Sequence, residues 1–112
     1  MVLSESHSPA YEIIAYHCQQ MAEKYLKAML IEAGLEVPFV HDLLTLNQAG
    51  AVAHPGLLRI QKECGMLTPF GTATRYPGSM AVGPEHMGSV IRWAELIRTE
   101  ARYSLGLQVG AN

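Results

Sequence analysis

The spacing of apolar residues predicts two long helices, one near each end of the chain. In the first, from Ala10 to Gly34, and in the last, from Pro84 to Gly106, apolar residues recur at steps of three and four, which places them on one helix face. The first stripe comprises Ile14, Cys18, Met21, Tyr25, Ala28 and Met29, and the second comprises Met87, Val90, Ile91, Ala94, Ile97, Ala101 and Leu105. Gly34 and Gly106 are predicted to end the helices, because glycine adopts the left-handed conformation of helix C-termini.

Two shorter helices are predicted between the long ones. The first extends from Asp42 to Ala49; Asp42 favours a helix start as the cap or a first-turn residue, and Gly50 closes the helix. The second begins at Pro55, since proline suits the first helical position, and ends near Gly65.

The fold class predicted from these elements is all-α. No segment alternates between apolar and polar residues as a strand does, and two long helices with two short helices between them indicate an antiparallel up-and-down helical bundle. Residues 10–106 are predicted to form this bundle, residues 1–9 a flexible leader and residues 107–112 a frayed tail. Residues 68–83 hold three glycines and two prolines, so we expect an ordered excursion there.

Composition narrows the class of protein. Hydrophobic residues make up 49% of the 112 residues and charged residues 16%, against about 25% charged residues in typical proteins. These values exclude a disordered chain and leave apolar surface for a partner. The net charge of −2 excludes a general cationic coat for nucleic acid, although it is compatible with a local basic stripe.

Several features indicate a cytoplasmic protein. The N-terminal residues are polar and acidic, unlike a signal peptide, and no apolar run approaches the roughly 18 residues that a membrane span needs. Cys18 and Cys64 are too few for a disulfide scaffold. We interpret them as two buried thiols in a reducing compartment.

A polar stripe on the first helix holds the main candidate binding residues. Its members are His17, Gln20, Lys24 and Lys27. Together they offer a titratable ring, an amide and two cations to a phosphate-bearing ligand. The same pattern is common on solvated or interface faces of amphipathic helices, so both interpretations stay open. Glu23 is spaced for an ion pair with Lys27 and could also pair with Lys24.

Two further pairs of residues are candidates. His41 and Asp42 open the second helix, and they fit helix-starting chemistry as well as a position at the mouth of a pocket. Arg75 and Tyr76 lie in the irregular segment, where binding residues concentrate, but packing and capping would explain them equally. The histidines lack the spacing and context of metal motifs, so we predict no metal site. We also predict no cofactor and no catalytic residue.

Three motifs resemble those of HEPN domains, a family named for nucleotide binding in higher eukaryotes and prokaryotes. The run from Tyr16 to Ala28, YHCQQMAEKYLKA, resembles the family's signature helix. Pro38 followed by His41-Asp42-Leu43 resembles the start of its next helix, and Arg75-Tyr76-Pro77 resembles the step before its last helix. The motifs occur in the family's order and together make a specific match over about Tyr11 to Leu105.

The resemblance implies a small prokaryotic module that binds a nucleotide or substrate, forms a homodimer and works with a minimal nucleotidyltransferase in a toxin–antitoxin-like pair. The ligand-binding candidates are then His17, Gln20, Lys24, Lys27, His41, Asp42, Arg75 and Tyr76. The family has a full helix before its signature helix, whereas only ten residues precede Tyr11 here. Either this first helix is truncated or the true start of the chain lies upstream. A missing helix would leave one side of the bundle uncovered, which favours a dimer that covers that face.

Two alternatives remain open. Ribonuclease toxins of this superfamily carry an Arg followed four to six residues later by a His, and no Arg of this chain is followed in that way. A metal-independent ribonuclease would need Arg75 or Arg92 together with His86 in a non-standard site, so a non-enzymatic module is favoured and RNA is disfavoured as a ligand. The other alternative is a structural dimer without a ligand.

Overall fold

A computed structural model describes residues 9–72 and 82–107, most of which are helical. The helices are α1 (Pro9–Glu32), α2 (Leu43–Ala51), a 3-10 helix (Pro55–Ile60), α3 (Gln61–Leu67), α4 (Pro69–Thr72) and α5 (Pro84–Ser104). No strand occurs within the described ranges, and the predicted all-α bundle is confirmed. The predicted leader and tail lie outside the described residues except for Pro9, which begins α1, and Leu107.

Both long helices end where the glycines predict. Gly34 and Gly106 have φ values of +75° and +78°, in the left-handed region that glycine adopts without strain. After α5, the N–H of Gly106 donates to the carbonyl of Tyr103 (3.0 Å) and the N–H of Leu107 donates to the carbonyl of Arg102 (2.8 Å). This Schellman arrangement satisfies the last carbonyls of the helix and reverses the chain.

Helix α2 starts as predicted but extends further than predicted. Asp42 is its N-cap, and the Asp42 carboxylate accepts the N–H of Leu44 (3.0 Å). Gly50 lies inside the helix and does not close it. Its role is spatial, because a Cβ at this position would lie 2.8 Å from Cδ1 of Leu57.

The middle of the chain differs in detail from the prediction. The helix predicted from Pro55 to Gly65 is divided into the 3-10 helix and α3, and α3 continues through Gly65, which has no positive φ. Helix α4 occupies the start of the predicted excursion. Residues 73–81 of that excursion lie outside the described residues.

The two long helices run in the same direction. Near the middle of α1, Cys18 is within electrostatic range of Glu95, and further along, the hydroxyl of Tyr25 bonds Arg102. Residue numbers therefore increase together along α1 and α5. The segment from the 3-10 helix to α4 runs antiparallel to α5.

The connector between α1 and α2, residues 33–42, explains why α1 and α5 run in the same direction. It returns along α1, so that His41 contacts Glu23, and α2 then rises beside α1 until Gly50 approaches Leu30. The following segment descends along α5, because Arg59 bonds Glu100 whereas Phe70 contacts Trp93. Up-and-down alternation thus holds from α2 to α5.

The core lies between α1 and the other helices. The residues of α1 that face it differ from the predicted apolar stripe. The buried apolar residues of α1 are Ala15, Ala22, Leu26, Met29 and Leu30. Ile14 and Ala28 are exposed, and Met21 and Tyr25 are half-buried, because Gln19 and Glu23 occupy core-facing positions and shift the buried arc of the helix. None of the described helices is long and apolar enough to cross a membrane.

Candidate functional site

Three of the predicted binding residues line one groove. His17, Gln20 and Lys24 border an open depression of about 550 Å³ between the outward side of α1 and the C-terminal end of α5. Steps of three and four residues place them on successive turns of α1. His17 and Lys24 are exposed and Gln20 is half-buried, so a ligand can reach all three side chains.

Apolar side chains form the floor and far wall of the groove. They are Met21, Tyr25, Ala28, Leu105 and Leu107. Three of them belong to the predicted apolar stripe of α1, and their incomplete burial leaves the groove open. The left-handed turn at Gly106 brings Leu107 to the end of this wall.

Tyr25 connects the groove to two arginines of α5. Its hydroxyl accepts a hydrogen bond from Nη1 of Arg102 (3.4 Å), and Arg98 is also within bonding range. The bond from Arg102 outweighs the desolvation of the phenol and, with the bond from Arg98 and the charges of both arginines, holds the pKa of Tyr25 below its ordinary value. Neither arginine is among the described residues that line the groove.

Lys27, the fourth member of the polar stripe, is engaged by Glu23 and is not among the described residues that line the groove. Its Nζ donates to Oε2 of Glu23 (2.8 Å), and Nδ1 of His41 lies 2.9 Å from the same oxygen. Nε2 of Gln19 donates to the backbone carbonyl of His41 (3.0 Å). These four residues, called the Glu23 clasp below, fasten the connector to α1.

The Glu23 clasp has a buried centre. Gln19 is fully buried and Glu23 is 6% exposed. Gly71 in α4 makes room for the clasp, since a Cβ at that position would collide with the side chain of Gln19. The sequence analysis assigned no role to Gln19. Its spacing of four residues from Ala15 and three from Ala22, both buried, nevertheless indicates that it faces the core.

Glu23 is charged despite its burial. Burial alone would raise its pKa, but the hydrogen bonds from Lys27 and His41 and the charge of Lys27 outweigh that effect and hold the pKa below its ordinary value. The predicted pairing of Glu23 with Lys27 is therefore present, and Lys24 is not its partner. Glu23 is a carboxylate anchor between α1 and the connector.

His41 and Asp42 have structural partners. The ring of His41 contacts Glu23, and Asp42 caps α2 and also accepts a hydrogen bond from Oγ1 of Thr45 (3.2 Å). Neither residue lines the groove, so the structure separates them from His17, Gln20 and Lys24. Arg75 and Tyr76 lie outside the described residues.

The residues invoked for a ribonuclease do not meet in the described part of the chain. Nδ1 of His86 accepts the N–H of Gly83 (3.0 Å), and its ring packs edge-on against Phe70 at 5.8 Å. Arg92 is exposed on α5. The contacts of His86 are those of a residue that caps and packs the start of α5.

The cysteines are free thiols with raised pKa values. Burial raises the pKa of Cys64 to about 12, and burial, followed by the negative charge of Glu95, raises that of Cys18. A protonated thiol is a poor nucleophile and a poor metal ligand. Among the described residues, no group of three His, Cys, Asp or Glu side chains is arranged to hold a metal ion.

Comparison with known proteins identifies the family. The model of the HEPN domain matches residues 3–104 of the 112-residue chain. No curated protein and no solved structure gives a significant match. The family model thus spans every described helix, including the helix that carries both the groove residues and the Glu23 clasp, and the chain belongs to the HEPN domain family.

Proposed function

We propose that this HEPN domain is a nucleotide- or substrate-binding module and that its ligand lies in the groove between α1 and α5. The observation that supports this proposal most directly is that His17, Gln20 and Lys24 border a groove with an otherwise apolar lining. A few polar groups on an apolar surface are typical of small-molecule sites, and the groove volume falls within the roughly 300–1,000 Å³ of such sites.

Each polar side chain has a role that its contacts allow. Lys24 makes no ion pair within the described residues, so its ammonium group is available to a phosphate. Nε2 of Gln20 donates to Oε1 of Gln19 (3.0 Å), which orients the amide and leaves its oxygen to accept from a ligand. The ring of His17 can stack on a base or bond a phosphate oxygen.

Thermal unfolding with added nucleotides tests the proposal. A ligand that binds the folded chain raises the melting temperature in proportion to RT ln(1 + [L]/Kd), so we expect a rise that grows with nucleotide concentration. The variant Ala28→Trp should abolish the rise because it fills the groove without changing its charge. Ala53→Trp, at an exposed position away from the groove, should retain it. No shift with any nucleotide at millimolar concentration would contradict the proposal.

We further propose that two copies associate through the face of α1 that carries Ile13 and Ile31. His17, Gln20 and Lys24 lie on this face between the two isoleucines, so the groove then lies at the dimer interface. Ile13 and Ile31 are 55% and 68% exposed, and 18 residues correspond to about five helical turns, so both lie on one side of the helix. Sedimentation should show a dimer for the native chain and a monomer for the double variant Ile13→Asp/Ile31→Asp. Val52→Asp, at another exposed aliphatic position, should remain dimeric. A monomeric native chain at micromolar concentration would contradict this arrangement.

A minimal nucleotidyltransferase is the proposed protein partner, in a toxin–antitoxin-like pair. Support comes from the family resemblance of the signature helix. We expect a reading frame for such an enzyme beside that of this chain, and copurification of the two proteins when they are expressed together. Failure of the purified proteins to associate would contradict the pairing and would leave nucleotide binding by the groove to be judged by its own titration.

A further inference from the structure

The number of cationic side chains that line the groove limits which nucleotide it can bind. Lys24 is the only Lys or Arg among the described residues that line it. Lys27 is held by Glu23, and Arg102 donates to the hydroxyl of Tyr25. Among the described lining residues the groove therefore presents one ammonium group, with His17 two turns earlier on α1, whereas Arg98 and Arg102 contact the hydroxyl of Tyr25 without lining the groove.

The remaining lining favours a flat, apolar body. Met21, Ala28, Leu105 and Leu107 supply aliphatic surface, and Tyr25 supplies an aromatic ring. Stacking of a base on an aromatic side chain contributes about 1–3 kcal/mol whichever base is present. The amide of Gln20 can accept a hydrogen bond from the edge of that base.

We propose that the ligand is a nucleoside monophosphate, with its base on the apolar floor and its single phosphate beside Lys24; this inference rests on the nucleotide-binding function proposed above. One phosphate matches the one ammonium group among the described lining residues. A triphosphate would place further negative charge in the groove, where none of the described lining residues is a second Lys or Arg.

Two competing ligands fit the groove less well. Triphosphates are usually bound with Mg²⁺, which proteins hold through carboxylates, and no carboxylate is among the described lining residues. RNA binding draws its affinity from several phosphate contacts, whereas the described lining residues include a single lysine. Both ligands need charges that these lining residues do not supply.

Calorimetric titration of the full chain with each nucleoside, its monophosphate and its triphosphate tests the inference. For the preferred base, the monophosphate should bind about tenfold or more tightly than the nucleoside, as expected for one hydrogen bond to a charged group. The triphosphate should bind no more tightly than the monophosphate. The variant Lys24→Gln should remove the difference between nucleoside and monophosphate, Lys24→Arg should keep it, and Lys62→Gln, at an exposed lysine of α3 outside the groove, should leave it unchanged.

The outcomes separate this inference from the function on which it rests. Equal affinity for nucleoside and monophosphate, or a triphosphate that binds tenfold more tightly than the monophosphate, would overturn the monophosphate inference while nucleotide binding stands. Retention of the full difference by Lys24→Gln would also overturn it. If no nucleoside or nucleotide binds at millimolar concentration, the proposed function itself fails.

Discussion

The two sides of α1 use the same residue types for opposite purposes. On one side, Gln19 and Lys27 serve the buried Glu23 clasp, whose hydrogen bonds join α1 to the connector. On the other side, Gln20 and Lys24 border the open groove and leave polar atoms available to a ligand. The chemistry of the side chains is matched, so the partner that each side chain reaches, rather than its residue type, distinguishes the clasp from the groove.

This comparison shows how a short motif can encode both stability and binding. Adjacent residues on a helix differ by about 100° in direction, so the two glutamines of the signature run face different environments. Gln19 must satisfy its polar groups inside the protein because water cannot reach them. Gln20 is half-buried and can exchange a water molecule for a ligand.

The largest expected difference is between Gln19→Ala and Gln20→Ala. Removal of Gln19 leaves a cavity at a fully buried position and takes the donor from the carbonyl of His41, so the free energy of unfolding should fall by about 3 kcal/mol. Gln20→Ala should cost less, about 1 kcal/mol, because it removes one hydrogen bond to Oε1 of Gln19 (3.0 Å) but leaves no cavity in the core. Denaturant unfolding measures both values, and equal losses would show that the two sides of α1 are not distinct.

A smaller effect is expected from Gly71→Ala. The new methyl group collides with Gln19, and displacement of a packed buried side chain costs about 1–3 kcal/mol. Gly88→Ala in α5 is the matched control, since a Cβ there meets nothing within 4 Å and alanine favours a helix by up to about 1 kcal/mol. Stabilisation by both substitutions would show that Gln19 is not confined by α4.

The pH dependence of stability tests Glu23. Its pKa is lower in the folded chain than in the unfolded chain, so the unfolded state takes up protons first as the pH falls. The stabilisation that Glu23 contributes is present above its unfolded pKa of about 4.3 and is lost as the pH falls through the folded value. Glu23→Gln should therefore lose less stability than the native chain over this acid range. Parallel stability curves for the two proteins would contradict a charged, clasped Glu23.

The smallest expected effect on stability belongs to Tyr25→Phe. The bond from Arg102 is long, at 3.4 Å, so its loss should change the free energy of unfolding by less than about 0.5 kcal/mol. The lowered pKa of Tyr25 should appear in an alkaline absorbance titration as a phenol that ionises below the ordinary value of about 10. That component should vanish in Tyr25→Phe; an unchanged titration would rule out the proposed contact with the arginines.

Sequence patterns predicted the features that depend on local chemistry. Gly34, Gly106 and Asp42 act through the backbone conformation and hydrogen bonds of their own neighbours, so the long helices and the start of α2 were predictable. The pairing of Glu23 with Lys27 is local in the same sense, since they lie one helical turn apart.

Features that depend on the path of the connector were not predictable in the same way. The connector returns along α1 and brings His41 to Glu23, a contact between residues 18 positions apart. This contact adds His41 to the local pair of Glu23 and Lys27 and so joins the connector to α1. The polar stripe specified which residues share a face, but only the tertiary arrangement decides which of them remain open to a ligand.

The most direct test of the two-sided helix compares Lys24→Gln with Lys27→Gln for both unfolding and monophosphate binding. Both variants remove one positive charge from the same helix, so a general electrostatic effect would weaken binding equally. We expect Lys27→Gln to lower the free energy of unfolding by about 0.5–1 kcal/mol and to retain affinity, and Lys24→Gln to retain stability and lose affinity by about tenfold. Equal losses of affinity in the two variants would contradict the division of α1 into a stabilising side and a binding side.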